Sequence, residues 1–462
     1  MARANATSCP CPNAKAQLTN YGIDAPGFIT GGVYFQSMKR KLLLILSGAL
    51  LLIILLCGLG GLWAWQKSAP SSPVQKKIAR AVKPYRFDLL HYEIGAITSK
   101  IRERITRPGA RLTPEEQKTL VENYVTLARQ ARHLEAEINR IYADPQQEDP
   151  AAASADLQQR LDELKQLMQE MRPLVENILQ RQVGSTLKEM GLDTAGQVWP
   201  PLAFKFSDLP KYLIASPRDH IELIAGVHLR PSLTIAQRER IEEEVAKKFQ
   251  LSTLVEELGG LGVWPTMLTD EADLPWILDT IAHEWLHTYM IFHPLGWHMF
   301  DNPQMDTINE TVATIVGQEV GAETAWRYYG IPRPKPQPLP ETPAQLPPPD
   351  PNKFDFRLEM RRTRLKVDEL LKQGKIEEAE RYMEARRKLF VEHGYYIRKL
   401  NQAYFAFHGS YATSSASTDP IGPKLRELRS LMPDLATFVH QVQRISKPED
   451  LDELLDEWRA TN

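Results

Sequence analysis

Two histidines four residues apart constrain this chain more than any other feature. His283 and His287 enclose Glu284 in the segment His-Glu-Trp-Leu-His. Since an α-helix brings residues i and i+4 to the same face, a helix here would aim both imidazole rings at one point. The spacing predicts a helix that binds one zinc ion (Zn2+), with Glu284 beside the open coordination position. A core helix with two hydrogen-bonded histidines is the alternative.

The residue between the histidines carries the predicted chemistry. A carboxylate beside zinc can take a proton from water that the metal acidifies, and can later pass it to a leaving amine. Glu284 is therefore the predicted catalytic base. A structural zinc site needs no such base and usually has a protein ligand in its fourth position. The presence of Glu284 therefore favours a catalytic zinc site over a structural one.

A catalytic zinc usually has three protein ligands, so a third must lie elsewhere in the chain. Four acidic residues downstream are candidates: Asp306, Glu310, Glu319 and Glu323. On a helix, Glu310 shares a face with Ala313, Gly317 and Gly321, small residues that would let another helix approach closely. Glu319 and Glu323 fall roughly opposite. Glu310 is the predicted ligand, and Asn309 beside it either binds substrate or backbone or only supports the helix start.

These segments together carry a resemblance to a known family. The motif His283 to His287, followed by Asn309-Glu310-Thr-Val-Ala, resembles the gluzincin branch of zinc metallopeptidases, where an Asn-Glu-x-x-Ala segment on the next helix supplies the third ligand. The resemblance covers roughly residues 200–330. The segment 400–404, with Ser-Tyr at 410–411, is similar to the C-terminal segment of a bacterial aminopeptidase-like family.

The resemblance implies further site residues. Gluzincins bind an extended peptide along an edge strand before the motif helix, and the stretch 254–267 is the candidate, with an ordinary hairpin as the alternative. Its predicted substrate-binding residues are Gly260, Leu261 and Gly262. Gluzincins also stabilise the oxyanion with a tyrosine or histidine. The candidates are Tyr404, His408 and Tyr411, each of which could instead be a core residue.

An uncharged run lies near the amino terminus. Residues 42–65 contain no Asp, Glu, Lys or Arg, and the run exceeds the roughly 20 residues that a helix needs to cross a bilayer. Basic residues 39–41 precede it, and Trp63 and Trp65 close it. This pattern predicts a single membrane-spanning anchor over residues 38–66, or alternatively a cleaved signal peptide. Residues 1–37 are expected to be an upstream extension or foreign segment.

The remaining chain predicts a mainly helical α+β fold. Residues 67–195 show helical periodicity and are expected to form a stalk or hairpin, either as a spacer or as a partner-binding coiled coil. Residues 196–330 are expected to form a zincin-like catalytic core with a small sheet. A proline-rich linker or loop at 331–352 leads to a helical subdomain, 353–462, that completes the cleft.

Composition excludes several classes of protein. Lys plus Arg total 56 and Asp plus Glu total 58, for a net charge of −2, so no basic surface recommends nucleic acid as a partner. The three cysteines are Cys9, Cys11 and Cys57. Residues beyond them therefore have no disulfide, cysteine-ligated zinc or cysteine nucleophile.

The expected function is that of a membrane-anchored, zinc-dependent metallopeptidase that acts on peptides or proteins outside the cytoplasm. An intramembrane protease is a rival within the enzyme class. A non-catalytic envelope scaffold with a degenerate or structural metal site is the rival from another class. The sequence leaves exopeptidase and endopeptidase activity, and the oligomeric state, undecided.

Overall fold

The computed structural model describes most of the chain from residue 72 onward. The described residues are 72–88, 100, 112–143, 149–261, 264–270, 272–334, 354–395, 397–409 and 420–461. All of them belong to the compact unit that begins at Leu59. The predicted anchor at 42–65 and the segment 1–37 lie outside these residues.

Helices dominate the described part. They are α1 (Pro73–Ala81), α2 (Pro114–Ala143), α3 (Pro150–Glu189), α4 (Ile235–Phe249), α5 (Leu274–Met290), α6 (Pro294–Trp297), α7 (Pro303–Tyr329), α8 (Phe356–Lys372), α9 (Ile376–Glu392), α10 (Gln402–His408), α11 (Ile421–Leu431), α12 (Leu435–Val442) and α13 (Glu449–Thr461). The strands are β1 (Phe204–Phe206), β2 (Lys211–Ser216), β3 (Ala225–Leu229), β4 (Ser252–Glu257), β5 (Gly260–Leu261) and β6 (Thr266–Leu268).

The strands form two small sheets of three strands each. One has the order β3-β2-β4 and is antiparallel throughout. The other has the order β1-β6-β5, in which β1 runs parallel to β6 and β5 runs antiparallel to it. Strand β5 leads through β6 to helix α5, so the second sheet directly precedes the helix that carries the histidine motif.

Helices α5 and α7 pack closely at the centre of the molecule. Each begins at a side-chain cap: Asp273 accepts a hydrogen bond from the Trp276 amide, and Asn302 accepts one from the Met305 amide. Helix α7 ends at Gly330, whose φ of 70° favours glycine.

Two glycines of α7 make this close approach possible. A Cβ atom added at Gly321 would lie 1.9 Å from Asp279 Oδ1 and 2.6 Å from the Asp279 backbone nitrogen. One added at Gly317 would lie 2.8 Å from the Asp279 carbonyl oxygen and 3.0 Å from His283 Cβ. The strip of small residues on α7 therefore faces α5 directly.

The long helices α2 and α3 form a hairpin that packs against this central pair. Val121 and Ile178 of the hairpin belong to the same buried apolar cluster as Leu278 of α5 and Val316 of α7. A polar group reinforces the contact, because Arg172 donates to Asp270 Oδ2 over 2.9 and 3.1 Å and Tyr124 donates to the same oxygen. The hairpin thus supports the loop just before α5.

The sheet β3-β2-β4 is covered on both faces. Helices α1 and α4 pack on one face through a buried apolar cluster. Helix α10 packs on the other, where Ala403 contacts the cluster of Ile214 and Leu254. Helices α8 and α9 share a further core, and α11 to α13 extend the central core around α7.

The expected fold class needs one correction. The described chain is a mostly helical α+β fold with small sheets, but none of its helices is both long and apolar enough to cross a membrane. The two longest helices, α2 and α3, carry charged side chains along their length, which excludes them. The expected fold class, which included a membrane-spanning helix, is therefore wrong for the described residues.

The glycine contact predicts a contrast between two alanine substitutions. Gly321→Ala should lower the free energy of unfolding by about 2 kcal/mol, because the new methyl group overlaps the backbone of α5. Gly184→Ala on α3 should raise it by about 0.5–1 kcal/mol, because no atom lies within 4 Å of the added Cβ and alanine favours helix. Urea denaturation followed by circular dichroism measures both. Equal effects of the two substitutions would contradict the close packing.

Candidate metal centre

The central helix pair brings three potential metal ligands together. His283 Nε2 and His287 Nε2 lie 3.1 Å apart on α5. Glu310 on α7 places one carboxylate oxygen 3.5 Å from His283 Nε2 and the other 3.6 Å from His287 Nε2. The three ligand atoms lie within 4.8 Å of one another. The close packing of α5 on α7 thus unites the histidine pair with the predicted third ligand.

The chemistry of this group fits a divalent metal ion. Two imidazole nitrogens and one carboxylate form a donor set typical of catalytic zinc, although other first-row metals accept the same donors. Glu310 Oε2 is buried and accepts no hydrogen bond from the residues that the structure describes. A buried carboxylate oxygen without a donor is costly, and a bound cation would remove that cost.

A neighbouring amide orients one of the two rings. The Nδ1–H of His287 donates to Asn309 Oδ1 over 2.8 Å, and Asn309 Nδ2 donates to the Leu295 carbonyl over 3.5 Å. In the neutral form of His287, the form that binds a metal, this hydrogen bond places the lone pair on Nε2, the atom that faces Glu310. Asn309, which the sequence suggested for substrate, is only 2% exposed and lies behind the ligand histidine.

The buried charges of the site shift one another's pKa values. For His287, burial disfavours the charged form, but Glu310 outweighs it and raises the pKa to about 9. Burial also opposes ionisation of Glu310, yet the two imidazoles hold its pKa well below the usual range. These opposite pKa shifts of His287 and Glu310 are those expected where imidazoles and a carboxylate converge in a buried site.

The predicted base lies beside the ligand group. Glu284 is 7% exposed, and burial raises its pKa while the charges of His283 and His287 oppose that shift. A Cβ atom added at Gly260 of β5 would lie 2.4 Å from Glu284 Oε1. The predicted peptide-binding stretch therefore passes directly against the base. Leu261 follows on β5, and Gly262 lies outside the described residues.

The predicted oxyanion residues lie on another element. Tyr404 and His408 are neighbours on α10, with ring centroids 4.2 Å apart. Burial raises the pKa of Tyr404 and lowers that of His408 to about 4. His408 Nε2 is buried and has no hydrogen-bond partner in the described chain. Tyr411 lies outside the described residues.

Two further residues lie close to the ligand group: Asp306, which the sequence offered as a candidate third ligand, and Tyr212, which it did not indicate. Asp306 stands one helical turn before Glu310, and burial together with the charge of Glu310 raises its pKa to about 7. Burial also raises the pKa of Tyr212 on β2, as do the charges of Asp306 and Glu310. No sequence signal indicates Tyr212, because strand packing alone brings it to α7.

Two of the other acidic candidates for the third ligand, Glu319 and Glu323, pair with arginines instead. Arg429 binds Glu319 through two hydrogen bonds of 2.8 and 2.9 Å. Glu323 pairs with Arg327 and Arg333 over 2.6 Å each. Both carboxylates are therefore neutralised by arginines rather than directed at the histidines.

Comparisons of the chain with protein-family models, with curated proteins and with solved structures give no significant match. The gluzincin assignment therefore stays a prediction based on the residues themselves.

The ligand group predicts tight binding of one zinc ion per chain. His283→Ala and Glu310→Ala should each weaken binding by more than about 100-fold, whereas Asn309→Ala should weaken it by about 10- to 100-fold through loss of the outer hydrogen bond. Competition with a chromophoric chelator measures these affinities. His298→Ala is the matched control, because His298 pairs with Asp301 on the surface. If His298→Ala weakened zinc binding as much as His283→Ala does, the assigned ligand group would be wrong.

Asp279 on α5 predicts a dependence of stability on pH. Burial and the nearby charge of Asp273 raise its pKa to about 7, above the value of about 3.9 in an unfolded chain. The folded state therefore binds this proton more tightly, so its contribution is present below about pH 4 and is lost as pH rises to 7.

In metal-free protein, Asp279→Asn should accordingly gain stability over wild type as pH rises from 4 to 8, by about 4 kcal/mol at pH 8. Denaturant unfolding at several pH values measures the difference. A difference that is constant with pH would show that Asp279 titrates normally.

Proposed function

We propose that the protein is a zinc-dependent metallopeptidase in which Glu284 is the general base. The observation that carries the proposal is the three-residue ligand group on α5 and α7 together with the buried Glu284 carboxylate, which lies against the backbone of Gly260 and senses the charges of His283, His287 and Glu310. A purely structural metal site has no use for a buried carboxylate beside its ligands. The non-catalytic scaffold is therefore the weaker alternative.

The residues of the chain have separate tasks in this proposal. His283, His287 and Glu310 hold the ion, which when bound supplies a Lewis acid that polarises a carbonyl group and acidifies water. Glu284 takes the proton from the attacking water and returns it to the leaving amine. Its burial helps, because a pKa raised toward neutrality suits a group that must accept and then donate a proton.

The strand beside the base supports a peptide as the substrate. Strand β5 is at the edge of its sheet, since β6 is its partner in the described strand order β1-β6-β5. An extended peptide can add to such an edge through main-chain hydrogen bonds. Because Gly260 has no side chain, a peptide on β5 could bring its carbonyl group next to Glu284.

Replacement of the base tests the proposal. Glu284→Gln should lower kcat/KM by about 10²- to 10⁴-fold, the usual contribution of a general base, and should retain one zinc ion per chain. Cleavage of a fluorogenic peptide library and elemental analysis measure the two quantities. Glu244→Gln, an exposed glutamate of α4, is the matched control and should not change either.

Two results would contradict the proposal. If Glu284→Gln retained full activity, Glu284 would not be the general base. Zinc-loaded wild type that cleaves no member of a broad library would leave the scaffold as the better account.

A further inference from the structure

A cleft of about 290 Å³ lies between helix α9 and the start of strand β4. Its wall also includes the loop after β2, the end of α4 and the segment 399–402 that leads into α10. The volume is close to the lower end of the range for small-molecule sites, roughly 300–1,000 Å³. None of the described residues that line it belongs to the metal centre. The cleft is therefore separate from the site described above.

Hydrogen bonds fix the segment before α10 to the sheet. Asn401 Nδ2 donates to the Thr253 carbonyl oxygen over 3.0 Å, and Asn401 Oδ1 accepts from the Tyr404 amide over 2.9 Å. The Ala403 amide donates to Ser252 Oγ over 3.3 Å. These bonds hold one wall of the cleft in place before a ligand binds, which lowers the entropic cost of binding.

A buried side chain of this wall lacks a hydrogen-bond donor. Gln402 is 0% exposed, and its Nε2 donates to the Arg218 carbonyl oxygen over 2.7 Å and to Glu380 Oε1 over 3.4 Å. Its Oε1 accepts no hydrogen bond from the residues that the structure describes. Since all three residues line the cleft, a donor bound there would complete the hydrogen bonding of the amide.

Charged groups of both signs line the same cleft. Arg218 binds Glu380 through hydrogen bonds of 2.8 and 2.7 Å, and this bonding holds the pKa of Glu380 below its usual range. The carboxylate is therefore ionised at neutral pH, and it is 33% exposed. Lys399 pairs with Glu242 over 3.1 Å and is 37% exposed. An ammonium group has three donors and a carboxylate about four acceptor positions, so both groups have capacity for a ligand.

The remaining wall is largely apolar. Ala246 of α4 and Leu251 line it on one element, Met383 lines it from α9, and Leu400 lines it from the segment before α10. An aliphatic group bound here would gain about 25 cal/mol for each Å² of apolar surface removed from water. The cleft thus combines a cation, an anion, an acceptor without a donor and an apolar surface.

We propose that this cleft binds a free α-amino acid with an aliphatic side chain. The carboxylate of the ligand pairs with Lys399, and its ammonium group donates to Gln402 Oε1 and Glu380. The aliphatic side chain packs on the apolar wall. The assignment goes beyond the peptidase proposal and does not depend on it, because the metal centre contributes no residue to the described wall.

Calorimetric titration of the full-length chain with three probes tests the assignment. L-leucine carries both charges. L-leucinamide keeps the ammonium group and represents a peptide amino terminus, whereas N-acetyl-L-leucine keeps the carboxylate and represents a carboxyl terminus. Each probe is titrated into wild type, Lys399→Gln and Glu380→Gln. The matched control is Lys388→Gln, which changes an exposed lysine of α9 that does not line the cleft.

Leucine should bind wild type with a Kd of about 1 mM or lower, and the two singly charged probes about 10-fold or more weakly, since each lacks one ion pair. In Lys399→Gln the preference for leucine over leucinamide should disappear. In Glu380→Gln the preference over N-acetyl-leucine should disappear. Lys388→Gln should bind all three probes as wild type does. Lys399→Gln is expected to fold, because Arg398 also donates to Glu242.

Three outcomes would overturn the assignment. The first is a folded wild type that does not bind leucine at about 10 mM. The second is a singly charged probe that binds as tightly as leucine, which would indicate a site for a peptide terminus. The third is leucine binding that is unchanged in both cleft variants, which would place the ligand elsewhere, the metal centre included. None of these outcomes concerns Glu284, so the proposed function is tested separately.

Discussion

The contact between helices α5 and α7 is the constraint on which the rest of the structure depends. Gly317 and Gly321 let the two backbones approach so closely that a single added methyl group would overlap Asp279. At that separation the carboxylate of Glu310 reaches the histidines on α5. The hairpin of α2 and α3 and the helices α11 to α13 pack around the pair in one apolar core, which stabilises the contact.

Buried charge is concentrated where these helices meet. Glu284, Asp306 and Glu310 are all buried or partly buried near two imidazole rings. Without a cation this arrangement is costly, because carboxylates in a poorly solvated region repel one another and Glu310 Oε2 lacks a hydrogen bond. A bound divalent ion would remove this repulsion between the carboxylates, and the stabilisation would add to its binding free energy. Groups with such perturbed pKa values are typical of functional sites.

The sequence predicted the local features of the site better than its long-range ones. The spacing of His283 and His287 and the glycine strip of α7 are properties of single helices, so helical periodicity was enough to place them with Glu310. Tyr212 could not be found in this way, because the folding of the sheet next to α7 decides its position. The hydrogen bond of Asn309 to His287 likewise depends on contact between two helices.

Anomalous diffraction at the zinc edge, from crystals of the full-length chain, tests the central claim most directly. The account predicts one peak per chain, about 2.0–2.2 Å from His283 Nε2, His287 Nε2 and a Glu310 carboxylate oxygen. A well-ordered chain with no peak at that position, or a peak bound by a different set of side chains, would contradict it.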